Sequence, residues 1–172
     1  PPRAAHGQIS LWKNELVTPE QAMAKASNIF ERKHAEIYTD YQARLLKAGA
    51  MDFDDLLMNT VLLFRQHPEV LAHYQQRFSH VLIDEYQDTN TAQNEIALQL
   101  AAAHQQITIV GDGDQSVYGW RGADVRNILQ FEEAFDDVTT IVLDQNYRST
   151  QTILDAANAV IAHNPDRKEK HL

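Results

Sequence analysis

Apolar residues are spaced differently in the two halves of this chain. Up to about residue 78 they recur every three or four positions, the period of a helix with one buried face. "VTPEQ" predicts a helix start, with Thr18 as N-cap, Pro19 in the first helical position and Gln21 where a capping box places it. Phe30, Ile37, Tyr41 and Leu45 continue at helical spacing, and Gly49 suits a C-terminal cap, so one helix is expected between them. A second helix is capped by Asp52 and carries Phe53, Leu56, Leu57, Val61 and Phe64 as its apolar stripe. Pro68 opens a third, short helix that runs to about Phe78. These stripes are expected to be core.

From residue 80 the pattern changes. "VLI", "ITIV" and "TTIVL" are short continuous apolar runs, which predict strands buried on both faces of a parallel sheet. Residues 92–103 and 123–131 read as helices between them. Strand–helix–strand–helix–strand implies βαβ units and an open α/β sheet, preceded by a helical part. Each of the three runs is followed by polar residues: Asp84-Glu85, Gly111-Asp112, and Asp144 with Asn146-Tyr147-Arg148. Open α/β sheets bind ligands just past the carboxyl ends of their strands, so the three clusters are expected to form one site.

Composition narrows the chemistry. The chain has 172 residues, 44% of them hydrophobic, enough for one good core or two small packed units. It has no cysteine, which excludes a disulfide framework, a thiolate metal site and a thiol nucleophile. No apolar run approaches the ~20 residues that span a bilayer, and no signal peptide opens the chain, so a cytoplasmic protein without membrane partners is expected. The formal net charge of −9 argues against a generally basic nucleic-acid coat, so any DNA binding must come from local groups. "PPRAAHGQ" at one end and "NPDRKEKHL" at the other suggest a piece of a longer protein.

An apolar strand ending in Asp84-Glu85 has the Walker B pattern of nucleotide hydrolases, in which the Asp holds Mg²⁺ and the Glu polarises an attacking water. Many strands end in acids, and a solvated turn before a capped helix explains the same residues. "GDGDQSVYGWRGA", residues 111–123, is more specific. Its glycines permit close backbone approach, and between them stand Gln115, Ser116, Tyr118, Trp120 and Arg121. Exposed aromatics beside an arginine offer a stacking face for a single-stranded base and a cation for its phosphate. The alternative is that Tyr118 and Trp120 are core. Asp52, Asp54 and Asp55 fall in the first turn of a helix, where free N–H groups and the dipole favour acids, so a structural role is expected of them.

"IDEYQDTN", "GDGDQSVYGWRGA" and "LDQNYRST" resemble motifs II, III and IV of the superfamily 1A DNA helicases of the UvrD/Rep/PcrA type, in the same order and at similar separations. "ISLWKNEL" and "MDFDDLL" resemble upstream segments of that family, so the likeness runs over nearly the whole chain. The resemblance implies ATP and Mg²⁺ as cofactors. Asp84, with Glu85 beside it, would hold the metal, and Glu85 would activate the hydrolytic water. Gln115 would sense the γ-phosphate and couple it to the DNA site. Trp120 would stack on a base, with Tyr118 and Arg121 nearby. Tyr147 would stack on adenine, and Arg148 would reach the γ-phosphate as an arginine finger.

The same resemblance implies an incomplete P-loop-type (RecA-like) sheet. Residues 1–50 would be the helical part of subdomain 1B, 51–144 the returning half of motor domain 1A, and 145–172 the start of domain 2A. The implied partners are single-stranded DNA and single/double-strand junctions, with repair or transcription proteins as further candidates, in a bacterial, nucleoid-associated setting.

The chain departs from the family pattern in lacking its N-terminal adenine-binding segment, its P-loop and its downstream motifs V and VI. No G-x-x-x-x-G-K-[ST] occurs in it, so the phosphate-cradling loop is missing and the chain alone is expected to be inactive. The reading is a segment of an ATP-dependent 3′–5′ DNA translocase. The helicase subunit of a RecB/AddA-type helicase–nuclease, a non-catalytic helicase remnant that docks on partners, and a metal-dependent nuclease built on the acidic cluster remain as alternatives.

Overall fold

The computed structural model describes residues 1–135 and 137–164. Five helices come first: α1 (Pro2–Asn14), α2 (Pro19–Lys25), α3 (Ile29–Lys47), α4 (Phe53–Gln66) and α5 (Pro68–Arg77). Strand β1 (Val81–Ile83), helix α6 (Thr91–Ala101) and strand β2 (Ile107–Ile109) follow, then the short α7 (Arg126–Leu129) and, near the end, α8 (Gln151–Ile161). The strands pair in parallel, with Val81 opposite Ile107 and Ile83 opposite Ile109, so β1–α6–β2 is one βαβ unit.

The helix starts follow from their caps. Thr18 and Gln21 form the expected capping box on α2. Asp52 caps α4 reciprocally with Asp55, and Asn90 caps α6 reciprocally with Gln93. Gly49 takes a left-handed φ of +60°, as a helix C-terminus requires.

The expected single helix between Pro19 and Gly49 is two. The side chain of Asn28 accepts from the N–H groups of Phe30 and Glu31, and the Ser27 N–H donates to Glu31 Oε2 at 2.7 Å. A new N-cap in mid-stripe therefore ends α2 and restarts α3 on a different face. As a result Phe30 is exposed and Ile37 marginally so, and the core takes Ala35 and Tyr38. On α4 the buried set is Asp55, Met58, Val61 and Phe64, whereas Phe53 and Leu56 are exposed.

Helix α1 had no clear sequence signal, yet it supplies the centre of the helical part. Ile9 joins Ala22, Ala35 and Tyr38 in a core ringed by Trp12, Val17, Met23 and Tyr41. Trp12 stacks on Tyr38 with centroids 5.9 Å apart. Lys13, fully buried, donates to Asp52 Oδ2 and Asp55 Oδ1, each at 2.8 Å. Tyr41 donates to Asp52, and Gln42 to Asp55. Burial works against the Asp52 carboxylate, but hydrogen bonds from Lys13, the Asp55 N–H and Tyr41 outweigh it and hold its pKa below the usual range. The three acids thus have the structural role expected of them, with Asp54 accepting from Asn14 at 3.2 Å.

The sheet is smaller than the sequence predicts. Residues 139–143, the "TTIVL" run, form no strand, and Ile141, Val142 and Leu143 are all exposed. A strand needs a neighbouring edge to satisfy its backbone, and no described segment pairs with this one. Nor are β1 and β2 buried on both faces, since Leu82 is 74% exposed. The helix expected over 123–131 shrinks to α7, followed by a 3₁₀ turn at Phe131–Ala134.

Candidate functional site

The parallel register sets the carboxyl ends of β1 and β2 side by side. Val110 N donates to Ile83 O at 2.8 Å, and Tyr86 N donates to Val110 O at 3.0 Å. Asp84-Glu85 and Gly111-Asp112 therefore leave the sheet together, and two of the three expected clusters form one site.

Glu85 occupies the left-handed region, with φ 52° and ψ 43°. A non-glycine residue there is strained by ~1–3 kcal/mol, and such strain persists only where neighbours over-determine it. Here Glu85 N donates to Asp84 Oδ1 at 2.9 Å, Asp88 N donates to Glu85 O at 3.0 Å, and Tyr86 is buried beneath. The turn keeps the Asp84 and Glu85 carboxylates exposed at the strand end. Burial pushes the Tyr86 hydroxyl up to about 12, so it stays a neutral donor to Asn94.

A buried amide links the two loops. Gln87, only 1% exposed, donates from Nε2 to Glu85 Oε2 at 2.7 Å and accepts the Asp112 N–H on Oε1 at 3.0 Å. Gln115 donates to Asp112 Oδ2 at 2.8 Å, so Glu85, Gln87, Asp112 and Gln115 form one chain of hydrogen bonds. Gly111 leaves space at this junction. A Cβ there would lie 2.5 Å from Gln87 Oε1 and 2.8 Å from Ile128 Cδ1.

The next turn presents the aromatics. Trp120 is 75% exposed and Tyr118 43%, so neither is core. Arg121 lies between them, its Cζ 4.5 Å from the Trp120 ring centroid and 5.7 Å from that of Tyr118. Gly122, at φ +87°, turns the chain back. Asp124 N then donates to Thr89 O at 2.9 Å, and Asn127 Nδ2 to the same carbonyl at 2.9 Å. The aromatic turn is therefore fastened to the segment that follows Glu85. Tyr118 and Arg121 also line a shallow depression with Asp88, Asn90, Gln93 and Ala123.

The third cluster stays apart. Tyr147 is 93% exposed, and among the described residues Arg148 has no ion-pair partner. The Arg148 N–H is tied only locally, to Asn146 Oδ1.

Among the described residues no group of three histidines or acids could enclose a metal ion. Mg²⁺ does not need one: it keeps several waters and takes one or two carboxylates together with substrate phosphates. The exposed oxygen donors of Asp84 and Glu85 fit that requirement. Gln87 and Asn90 help to hold the site together beside Asp112 of the expected second cluster, and neither amide is among the residues that the sequence singles out. The i,i+2 spacing of Glu85 and Gln87 was the available signal for one of them.

A family model described as the UvrD/REP helicase N-terminal domain matches residues 2–136. The ATP-dependent DNA helicase PcrA of Leuconostoc citreum is 52% identical over 171 residues, 99% of this chain and 23% of that protein. PcrA of Staphylococcus epidermidis is 51% identical and PcrA of Staphylococcus aureus 50%, again over 99% of this chain, covering 24% and 23% of those proteins. The chain thus spans about a quarter of the length of the curated relatives it matches.

Proposed function

This chain belongs to the UvrD/REP helicase family, and on that footing we propose that it is a segment of an ATP-dependent 3′–5′ DNA helicase, contributing half of an ATP site and part of a single-strand track. One observation carries the reading: the Asp84–Glu85 turn and the Gly111–Gln115 loop leave adjacent parallel strands and are joined through Gln87, with an exposed Trp120–Arg121 pair on the same loop system.

In this reading the two strands belong to a RecA-like sheet, the strand partners for residues 139–143 lie elsewhere in the full-length protein, and so does the phosphate-cradling loop. Residues 1–50 belong to subdomain 1B, 51–144 to domain 1A and 145–172 to domain 2A.

Asp84 and Glu85 hold Mg²⁺, whose charge, when bound, offsets that developing on the phosphates. Glu85 takes the proton of the attacking water. Gln115 reads the γ-phosphate and passes its presence to the loop that carries Trp120. Trp120 stacks on a base of single-stranded DNA, and Arg121 faces the neighbouring phosphate while Tyr118 supports it. Tyr147 stacks on adenine, and Arg148 stabilises charge on the transferred phosphoryl group once the cleft closes. The DNA substrates are single strands and single/double-strand junctions, with repair or transcription proteins as further partners.

The test is Glu85→Gln in the full-length protein. Mg·ATP affinity is expected to stay near wild type while hydrolysis falls by ~10²–10⁴, the usual cost of a positioned base. Lost nucleotide affinity with surviving single-turnover hydrolysis would make Glu85 a binding residue instead. The 172-residue chain alone is expected to show no DNA-stimulated hydrolysis above its own Glu85→Gln control.

A further inference from the structure

We infer that Gln87 is a positioning residue for hydrolysis, orienting the Glu85 carboxylate and locking it to the loop after β2. The inference rests on the proposed role of Glu85 as the base.

The orientation of the Gln87 amide follows from its partners. The Asp112 N–H can only donate, so the end that meets it must be the oxygen. That leaves the nitrogen facing Glu85 Oε2, which as a carboxylate can only accept. Both ends are therefore committed, and neither can rotate without leaving a buried polar group unpaired. The main chain of Gln87 is held as well, with Ser116 Oγ donating to its carbonyl at 3.2 Å. Glycine at 111 leaves the space that the amide oxygen occupies, since a Cβ there would lie 2.5 Å from Gln87 Oε1.

Joining the two loops needs only the bond from the Asp112 N–H to Oε1, which leaves the bond from Nε2 to Glu85 unexplained by a structural role. The amide instead ties up one oxygen of an exposed carboxylate, which adds little to stability but fixes the direction of the other oxygen. Glu85 would otherwise swing freely from its left-handed turn. The same amide makes the position of Glu85 depend on Asp112, and Asp112 is bonded to Gln115. Any displacement of the loop carrying Gln115 and Trp120 thus reaches Glu85 through one side chain.

The experiment compares Gln87→Met, Gln87→Glu, Glu85→Gln and the double variant Glu85→Gln/Gln87→Met in the full-length protein. ATP hydrolysis is measured with and without single-stranded DNA, alongside affinity for a non-hydrolysable Mg·ATP analogue. Gln87→Met removes both bonds. Gln87→Glu keeps an acceptor for Asp112 but sets a carboxylate against Glu85, so it reports on positioning even if the methionine variant fails to fold.

Both single variants at Gln87 are expected to lose DNA-stimulated kcat on the order of 100-fold, the scale set by misplacing a reacting group, with KM and analogue affinity near wild type. The double variant should be no slower than Glu85→Gln alone, because groups acting as a unit are not additive. Wild-type kcat in Gln87→Glu, or a double variant slower than Glu85→Gln by the full Gln87 factor, would overturn the inference. If Glu85→Gln itself hydrolysed at the wild-type rate, the proposed role of Glu85 would fall and this inference with it. A crippled Glu85→Gln beside a fully active Gln87→Met would overturn this inference alone.

Discussion

Asn14 and Asn90, 76 positions apart, are joined by a buried hydrogen bond of 2.7 Å from Asn90 Nδ2 to Asn14 Oδ1. Asn14 ends α1 and also donates to Ser10 O and Asp54 Oδ1, so one amide ties α1 and α4 to the segment just past Glu85. Asn90 meanwhile caps α6 through its own oxygen, accepting from Gln93 N at 2.8 Å. The helical part and the βαβ unit are thus connected through the residues that end the acidic turn.

Asn14→Leu would leave the Asn90 N–H₂ without its buried partner and should cost ~1–3 kcal/mol of stability. Urea unfolding of the single and double variants at these two positions checks it. The double Asn14→Leu/Asn90→Ser should be less destabilised than the sum of the singles, because the two share one bond. Strict additivity would mean that the contact contributes nothing.

Lys13 makes a larger prediction. Asp55 is 1% exposed, and Lys13→Met would leave its carboxylate buried without its cation. Removing one partner of a buried pair typically costs ~3–5 kcal/mol, so a clear drop in melting temperature is expected. Asp52 adds a pH dependence of known sign. Its carboxyl is held below the usual range in the fold, so its contribution is present above its unfolded pKa of about 3.9 and is lost as pH falls through the lower folded value. Asp52→Asn should therefore flatten the acid limb of stability below about pH 4, which acid titration followed by circular dichroism would measure.

Elements whose cause is local were legible from sequence. Thr18 and Asp52 each carry a cap within four residues of themselves, and β1 and β2 lie where their apolar runs predict. The break at Asn28 was also local but was hidden by an unbroken apolar period, and the cap overrode that period. Residues 139–143 show the opposite failure. Strand propensity was present, but pairing is decided by a neighbour that no described segment supplies. At the site, Asp84, Glu85 and Gln115 were legible because motif spacing carries them. Gln87 and Lys13 were not, since a buried polar group is recognised by partners distant in sequence rather than by its own neighbours.

Trp120 and Arg121 should act as one unit on DNA. The guanidinium sits 4.5 Å from the Trp120 ring, and both side chains are exposed. Trp120→Ala in the full-length protein should weaken single-strand binding by ~1–3 kcal/mol for the lost stack, while DNA-independent ATP hydrolysis is largely retained. Arg121→Ala should weaken binding less at high salt than at low salt, because a phosphate contact releases counterions. Fluorescence titration of labelled oligonucleotides at two salt concentrations measures both. Unchanged affinity in a folded Trp120→Ala protein would remove the aromatic turn from the DNA track.

Arg148 should act across a cleft from Asp84 and Glu85 rather than beside them. It lies beyond the run of residues 139–143, and among the described residues it pairs with neither acid. A local counter-ion would be bonded to one of them already. An exposed guanidinium without an ion-pair partner among the described residues is instead suited to be carried to phosphate when two domains close. Such a finger stabilises charge that develops only in the transition state and accounts for ~10³–10⁵ in rate in nucleotide hydrolases that use one. Arg148→Lys keeps the charge but loses the planar fork, so it should fail nearly as badly as Arg148→Ala. In the full-length protein both variants should depress turnover far more than Mg·ATP affinity, as steady-state kinetics beside equilibrium binding would measure. A lysine variant at full rate would reduce Arg148 to a simple positive charge, and equal losses in affinity and turnover would make it a ground-state binding residue.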